Sequence, residues 1–302
     1  MKKLGFIGCG TMGKPMALKL IKTGYQLVVH DINPEPIKGL VKAGATAANS
    51  PREVAQQVEI VITVLPSSPH VEQVMYGPDG VLEGLKRGGV IIDMSTISPV
   101  VSRQVAASAA EKGIEMLDAP VSGGVLRILD GNLTIMVGGK KEVFEEYQGI
   151  LQEIGKNTIY VGDTGMGEVV KLANQLLVGA NIIAVCEAFL FGTKLGADPQ
   201  TLYNVITKSS GNCFILEKRV PYPNLVASSP ANHDFEPDDK FTTDLMAKDL
   251  SLCLSAADVT QFPLLTCSLA HQLLEAAKAK GLGKKDCTVV NKIIRQLGGE
   301  KV

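Results

Sequence analysis

Residues 1–162 predict a doubly wound α/β sheet, and residues 163–302 predict helices alone, opened by one long helix. Three observations carry this. Short apolar, β-branched runs alternate with helix-spaced segments as far as residue 162, a pattern that builds parallel sheets covered on both faces. A glycine triplet follows the first of those runs. After residue 162 the strand-like runs stop, and the remaining periodicity is that of helices. A chain of 302 residues is long enough for two such domains.

KLGFIG at 3–8 is an apolar run closed by glycine, and GCGTMG occupies 8–13. Gly8, Gly10 and Gly13 thus form GxGxxG after a predicted strand and ahead of a segment, 11–24, with helical spacing through Met12, Met16, Leu18, Leu20 and Ile21. The first glycine permits a tight turn, the second lets backbone approach a pyrophosphate, and the third lets helix pack on strand. The helix start then offers N–H groups and the positive end of its dipole to phosphate. Glycine-rich turns produce the same motif, so its weight comes from the elements on either side. QLVVHD at 26–31 ends at Asp31, near the spacing of the acid that accepts hydrogen bonds from ribose hydroxyls. A carboxylate there repels a 2'-phosphate, and His30, Ile32 and Asn33 supply no arginine. NAD is therefore expected in preference to NADP.

The alternation continues with a helix at 34–43, a strand near 46, a helix at 51–58 and a strand at 59–65. Ser50, Pro51 and Glu53 make a capping box with proline at the first helical position. PSSPH follows Leu65; strand 89–94 leads into Ser95 and Thr96; strand 114–119 leads into PVSGG. All three are loops at the carboxyl ends of strands, where open parallel sheets bind ligands, although Ser, Pro and Gly also make ordinary turns and caps. Strand 133–139, helix 142–154 and strand 157–162 complete the sheet. In PVSGG, the Ser122 hydroxyl and the unshielded backbone N–H groups of Gly123 and Gly124 could together hold a carboxylate.

The long helix spans 162–197, with Val169, Leu172, Leu176, Ala180 and Ile183 at three- and four-residue steps. Leu177, Ile182 and Val185 widen the stripe nearly all round, so the helix is expected to be buried. Lys171, Asn174 and Gln175 leave one face within a turn of each other, which suggests a site. From the helix alone, a lysine with a packed stem and a hydrated ammonium is the commoner arrangement.

A balance of 45% apolar and 20% charged residues is that of an ordinary globular chain, and a net charge of -1 offers no bulk attraction to nucleic acid or anionic membrane. His30, His70, His233 and His271 lack metal-ligand spacing, so no metal is expected. The six cysteines form no CxxC pair, which fits a reduced, cytoplasmic chain. Glycines interrupt the apolar N-terminus before a signal-peptide core develops, and Lys171, Asn174, Asn181 and Glu187 argue against a membrane span in the long helix.

GFIGCGTMG, DAPVSGG and GDTGMGEVVKLANQ, in that order, resemble the three signatures of the β-hydroxyacid dehydrogenase family, and the resemblance runs essentially end to end. It implies an N-terminal Rossmann domain (1–162), a long interdomain helix, and an all-helical C-terminal domain for substrate and dimerisation (163–302). It also implies oxidation of a short 3-hydroxy acid with NAD or NADP. By the same resemblance Gly8, Gly10, Thr11, Met12, Gly13 and Asp31 would hold the dinucleotide, with Leu65, Pro66, His70 and Thr96 around its nicotinamide half. Ser122, Gly123 and Gly124 would bind the substrate carboxylate, and Lys171 would be the acid/base. The family's usual asparagine four residues after the lysine is Gln175 here, with Asn174 before it, so either amide is a candidate for substrate.

SSGNCF at 209–214, the loop 221–232 and FTTDLMAKDLSL at 241–252 resemble the 3-hydroxyisobutyrate dehydrogenases within that family, although Asn212 departs from their usual arginine or glutamine. The resemblance would bring Lys248 to the cofactor with Asp249 in support; read without it, both lie on the exposed face of an amphipathic helix. CSLAHQLLEAAKAKG and CTVVNKIIRQLG read as amphipathic helices ending in glycine, suited to a helical bundle and to a homodimer or homotetramer. Lys171 must be neutral to take a hydroxyl proton, which requires burial or a nearby positive charge to lower its pKa. Two other readings are a noncatalytic dinucleotide-binding sensor, opposed by the lysine and glycine pair, and a decarboxylating sugar-acid dehydrogenase, opposed by the lack of a basic cluster for a phosphate tail.

Overall fold

The computed structural model describes residues 2–237 and 241–300. The chain divides into two compact units, Met1–Lys171 and Leu172–Val302.

The first unit follows the alternation of its sequence: β1 (Lys3–Ile7), α1 (Gly13–Lys22), β2 (Gln26–His30), α2 (Pro34–Lys42), β3 (Thr46–Ala47), α3 (Pro51–Gln56) and β4 (Ile60–Thr63). It continues through α4 (Ser68–Tyr76), α5 (Val81–Gly84), β5 (Val90–Asp93), α6 (Pro99–Glu111), β6 (Glu115–Asp118), β7 (Val121–Ser122), α7 (Gly124–Leu129), β8 (Thr134–Gly138), α8 (Lys141–Ile154) and β9 (Asn157–Gly162). The strands make one sheet in the order β3-β2-β1-β4-β5-β6-β8-β7, with β9 pairing β8. From β3 to β6 every pairing is parallel, whereas β8 runs antiparallel to β6 and β7. Strand order reverses at β1, the switch point beside which such sheets bind their ligands.

Both faces of the sheet are covered, and the two-residue side-chain period sorts each strand between two cores. Phe6, Ile60, Ile62, Ile92, Leu117 and Ile135 pack on one side. Ile7, Val61, Ile91 and Met116 pack on the other. This explains why the strands read as unbroken apolar runs. Ser50 Oγ accepts the N–H of Glu53 as the capping box predicts, but Glu53 Oε2 reaches past Ser50 to the backbone N–H of Asn49 at 2.7 Å. PVSGG is not wholly a loop: Val121 and Ser122 pair with Ile135 and Thr134, and Gly124 opens α7. The helices α4 and α6, which follow the loops after β4 and β5, were not anticipated.

α9 (Met166–Lys194) begins in the first unit and runs into the second, which adds α10 (Pro199–Ile206), α11 (Phe214–Arg219), α12 (Thr243–Thr260), α13 (Leu265–Ala279) and α14 (Val290–Leu297), with 3-10 turns at Pro230–His233 and Cys287–Val289. Ile182, Ile183, Val185 and Phe189 of α9 pack with Met246, Leu250, Leu274 and Ile293 in one core. The expectation of a buried helix needs correction. α9 is long and apolar enough to cross a membrane by length and composition, yet one of its faces packs in this core while Val169, Leu177 and Phe191 stay exposed. A stripe that runs nearly all round leaves apolar side chains outside whichever face is buried.

Candidate active site

The glycine loop meets the steric requirements its motif implies. Gly8 has φ +90°, and a Cβ there would lie 2.2 Å from the carbonyl oxygen of Val64; a Cβ on Gly13 would lie 1.9 Å from that of Gly8. Gly8 and Gly13 are therefore demanded by the turn and by the packing of α1 on β1. Gly10 differs, because a Cβ there would meet nothing within 4 Å. Packing within the chain gives no reason for glycine at this exposed position, whereas a pyrophosphate laid against its backbone would. The cradle therefore fits a dinucleotide.

Asp31 is brought to the same loop. Its Oδ2 accepts the backbone N–H of Cys9 at 2.6 Å and its Oδ1 that of Asn33 at 2.7 Å. Each carboxylate oxygen has a second lone pair, so these bonds fix the side chain at the mouth of the loop without exhausting it. The Cys9 thiol is buried beneath, and burial together with the Asp31 charge pushes its pKa up to about 12. Thr11 is exposed and Met12 half-buried at the start of α1.

The loops after β4 and β5 are tied together by Asp93, a residue that was given no role from the sequence. Its Oδ1 accepts the hydroxyls of Thr63 at 2.8 Å and Ser95 at 2.5 Å. Ser95 Oγ in turn accepts the N–H of Leu65 at 2.8 Å, and Ser68 Oγ accepts that of Ser98. Full burial pushes the Asp93 carboxyl up from the ordinary range. Leu65 and Thr96 thus sit on loops held by one buried acid, with Pro66 and His70 exposed beside them and the His70 ring 2.7 Å from Ser67 Oγ.

Asp118 plays a similar part at the end of β6, the first residue of DAPVSGG. Its carboxylate accepts backbone N–H groups of Gly165 at 2.7 Å and Glu168 at 3.1 Å, which are donors that the first turn of α9 cannot satisfy internally. Glu168, fully buried, accepts the N–H of Ile97 at 3.2 Å, next to Thr96. Close approach is possible because Gly167 and Gly138 lack side chains: a Cβ on either would come within 2.8 Å of the Asp118 carboxylate. Burial raises the Asp118 pKa to about 6 against the opposing pull of these N–H groups. Lys171 follows Glu168 by one turn and is 5% exposed, so the picture of a helix lysine with its head in water does not describe it. Ser122 is half-buried on β7, and Gly123 and Gly124 follow with φ of +134° and +68°, backbone that only glycine adopts readily.

In the second unit, Asn174 Nδ2 donates to Gln175 Oε1 at 3.0 Å, Gln175 Nε2 donates to Asp249 Oδ2 at 2.6 Å, and Lys248 Nζ lies 2.9 Å from Asp249 Oδ1. The sequence-only placement of Lys248 and Asp249 on an exposed face is corrected here. Asp249 is 3% exposed because α12 turns it inward against α9, and Lys248 is partly covered. His271 is half-buried near Glu275, as a packed residue would be. Among the described residues there is no group of three or more His, Cys, Asp or Glu side chains able to hold a metal, and no disulfide joins the cysteines.

Comparison with known proteins gives two family models that together span most of the chain. The model for the NAD binding domain of 6-phosphogluconate dehydrogenase matches residues 3–162, and the model described as NAD-binding of NADP-dependent 3-hydroxyisobutyrate dehydrogenase matches residues 165–294. The chain is 42% identical to 2-(hydroxymethyl)glutarate dehydrogenase of Eubacterium barkeri, covering 99% of this chain and 97% of that protein. It is 40% identical to mitochondrial 3-hydroxyisobutyrate dehydrogenase of Mus musculus, covering 97% and 87% respectively. A solved structure of Mycobacterium tuberculosis 3-hydroxyisobutyrate dehydrogenase with L-serine superposes with a TM-score of 0.92 at 34% identity, covering 98% of this chain and 99% of that one.

Proposed function

The chain belongs to the β-hydroxyacid dehydrogenase family of NAD(P)-dependent oxidoreductases, and from that premise we propose that it oxidises 3-hydroxyisobutyrate to methylmalonate semialdehyde with NAD as the preferred cofactor. The observation that carries the site assignment is the fastening of α9 to Asp118. Lys171 is buried one turn beyond a helix start held by Asp118, the aspartate that opens DAPVSGG.

In this reading Gly8, Gly10, Thr11, Met12, Gly13 and Asp31 hold the dinucleotide, Leu65, Pro66, His70 and Thr96 border its nicotinamide half, and Lys248 is assigned to the same cofactor. Residues 1–162 serve the cofactor, and residues 163–302 serve substrate and self-association, in a cytoplasmic homodimer or homotetramer. The exposed apolar side chains of α9 favour self-association. Ser122 and the N–H groups of Gly123 and Gly124 bind the substrate carboxylate. Lys171, in its neutral form, removes the proton from the 3-hydroxyl group, and an amide on the same helix face orients that hydroxyl. In reverse the ammonium returns the proton to the aldehyde oxygen. NAD supplies the hydride acceptor.

NAD over NADP rests on Asp31, whose carboxylate is anchored at the loop mouth where a 2'-phosphate would meet its charge. The similarity to the Eubacterium barkeri enzyme makes 2-(hydroxymethyl)glutarate the main competing substrate. An assay of 3-hydroxyisobutyrate, 2-(hydroxymethyl)glutarate, L-serine, glycerate and 4-hydroxybutyrate, each with NAD and NADP, tests the proposal. The highest kcat/KM is expected for 3-hydroxyisobutyrate with NAD, and a clear preference for another acid would replace the substrate while leaving the reaction class intact.

A further inference from the structure

α7 opens at Gly124 and carries Arg127 one turn further on. Side chains on a helix lean toward its N-terminus, over the residue about four positions earlier. For Arg127 that residue is Gly123. A Cβ built on Gly123 would lie 2.6 Å from Arg127 Cβ and 2.7 Å from its Cγ, so the arginine stem occupies the space that the glycine leaves open. The guanidinium remains at the surface, with Nη1 3.7 Å from Asp130 Oδ2 and the two side chains 44% and 48% exposed. An ion pair as open as this contributes little. Asp130 is itself held by the backbone N–H of Asn132, which its Oδ1 accepts at 2.9 Å. Arg127 can therefore exchange Asp130 for another carboxylate that arrives beside the SGG segment.

Resting on the dehydrogenase reading above, we propose that Arg127 reads the substituent at C2 of the hydroxy acid, and that the site accepts 3-hydroxy acids whose C2 branch ends in a second carboxylate. 3-Hydroxyisobutyrate and 2-(hydroxymethyl)glutarate share the C1 carboxylate, C2 and the hydroxymethyl group. They differ only in the branch at C2, a methyl group in the first and two methylenes with a carboxylate in the second. With C1 held by Ser122 and the N–H groups of Gly123 and Gly124, that branch starts beside the residue on which the Arg127 stem packs. A stem of three methylenes brings the guanidinium within reach of a branch of two, and its planar fork matches a carboxylate through two parallel N–H···O bonds. The same charge acts with the opposite sign on L-serine, whose C2 carries an ammonium group. Charge at C2 is thus the property discriminated: a carboxylate is favoured, a methyl group is the neutral reference, and an ammonium is disfavoured.

The test is the ratio of kcat/KM between acids with NAD, because a fault in the fold would move all acids together. Arg127→Met keeps a stem on Gly123 and removes the charge, Arg127→Glu reverses the charge, and Arg127→Lys keeps it without the fork. Relative to 3-hydroxyisobutyrate, 2-(hydroxymethyl)glutarate should lose about tenfold or more in Arg127→Met, chiefly through KM, and more again in Arg127→Glu, with part of the loss recovered in Arg127→Lys. L-Serine should move the other way and gain on 3-hydroxyisobutyrate in Arg127→Glu. Ratios unmoved by Arg127→Met and Arg127→Glu would overturn the proposal. Binding supplies a readout that needs no turnover. With NAD present, glutarate should raise the wild-type melting temperature more than butyrate at equal concentration, and Arg127→Met should erase the difference. If wild type turns over none of the acids, the dehydrogenase reading fails, while a glutarate advantage that depends on Arg127 still upholds the role of the arginine. Equal shifts by glutarate and butyrate would overturn that role.

Discussion

Asp118 Oδ2 accepts the backbone N–H of Glu168 at 3.1 Å, so the acid that ends β6 caps a helix 50 residues further along the chain. The same carboxylate takes the N–H of Gly165, and Glu168 passes the connection on to Ile97. Two buried side chains, Asp118 and Glu168, thereby join the end of β6, the loop after β5 and the first turn of α9 in a single hydrogen-bonded unit. Lys171 is the buried residue one turn further on, and its position depends on how firmly that turn is held.

Asp118→Asn should reveal this. Asparagine has one acceptor oxygen for two N–H donors that approach separate carboxylate oxygens, and its NH2 group would oppose one of them. A stability loss of about 1–3 kcal/mol is expected, the range for leaving a buried donor unsatisfied. Denaturant unfolding measures the loss, and kcat should fall with it as α9 loosens. A variant with wild-type stability and turnover would show that the cap is dispensable.

The pH dependence of that difference has a definite sign. Burial raises the Asp118 pKa from 3.8 to about 6 in the folded protein, so between those values the folded state binds a proton that the unfolded state has released. The contribution of this group to stability is fullest below pH 3.8 and declines as pH rises through 6. The stability advantage of wild type over Asp118→Asn should therefore grow when pH is lowered from 7 to 5, by roughly 1 kcal/mol. An advantage that shrinks instead would mean that the N–H groups outweigh burial and hold the carboxylate ionised.

What the sequence disclosed and what it concealed divide along physical lines. GxGxxG, Asp31 and the alternation of strands and helices depend on local spacing and on residues with special backbone or charge, so they were legible. Asp93, Asp118 and Glu168 were not: Asp93 takes the hydroxyls of Thr63 and Ser95, Asp118 and Glu168 take backbone N–H groups remote in sequence, and a lone acid closing an apolar run resembles any strand end. The available signal was position: two neighbouring strands, VIID and EMLD, each end in an aspartate that directly follows apolar residues. Asp249 was misplaced because a helix charge is normally exposed, and only the contact of α12 with α9 shows that Gln175 meets it. Overestimating the burial of α9 had the opposite cause, since periodicity cannot say how many faces find partners within one chain.

Thiol chemistry offers a check on packing. Burial, with the Asp31 charge, pushes Cys9 up to about 12, and burial with the Cys267 and Asp249 charges does the same for Cys253. Burial also raises Cys186 and Cys267. A thiolate-specific disulfide reagent at pH 8 should therefore modify the half-exposed Cys213 first, with the buried thiols reacting only on unfolding. Rapid native-state modification of Cys9, mapped by mass spectrometry, would contradict the closed packing beneath the glycine loop.

Cofactor selection should follow Asp31. Its carboxylate is held by the N–H groups of Cys9 and Asn33, so Asp31→Ala removes an already oriented acceptor. Ribose binding contributes nearly equally in ground and transition states, so KM for NAD should rise while kcat changes little. Discrimination against NADP should narrow at the same time, because the repelling charge is gone. Steady-state kinetics with both cofactors measures this, and wild type working better with NADP than with NAD would refute the role of Asp31.

Lys171 carries the catalytic proposal, and its replacement should separate chemistry from binding. Lys171→Ala should lower kcat by about a hundredfold or more, the scale for removing a positioned proton-transfer group. NAD affinity, read by titration calorimetry, should stay near wild type, because the phosphate contacts are proposed to belong to the glycine loop. Lys171→Arg should not restore turnover, since a guanidinium stays protonated and cannot serve as base. Wild-type oxidation should accelerate as pH rises, because the neutral amine is the form that takes the hydroxyl proton, and the Lys171→Ala rate should lose that dependence. A purely structural lysine predicts otherwise: truncation of a side chain only 5% exposed would lower the melting temperature but leave kcat within a few-fold of wild type. A folded, NAD-binding Lys171→Ala protein with near-normal kcat would therefore remove Lys171 from the chemistry and leave the family's reaction to be assigned to another group.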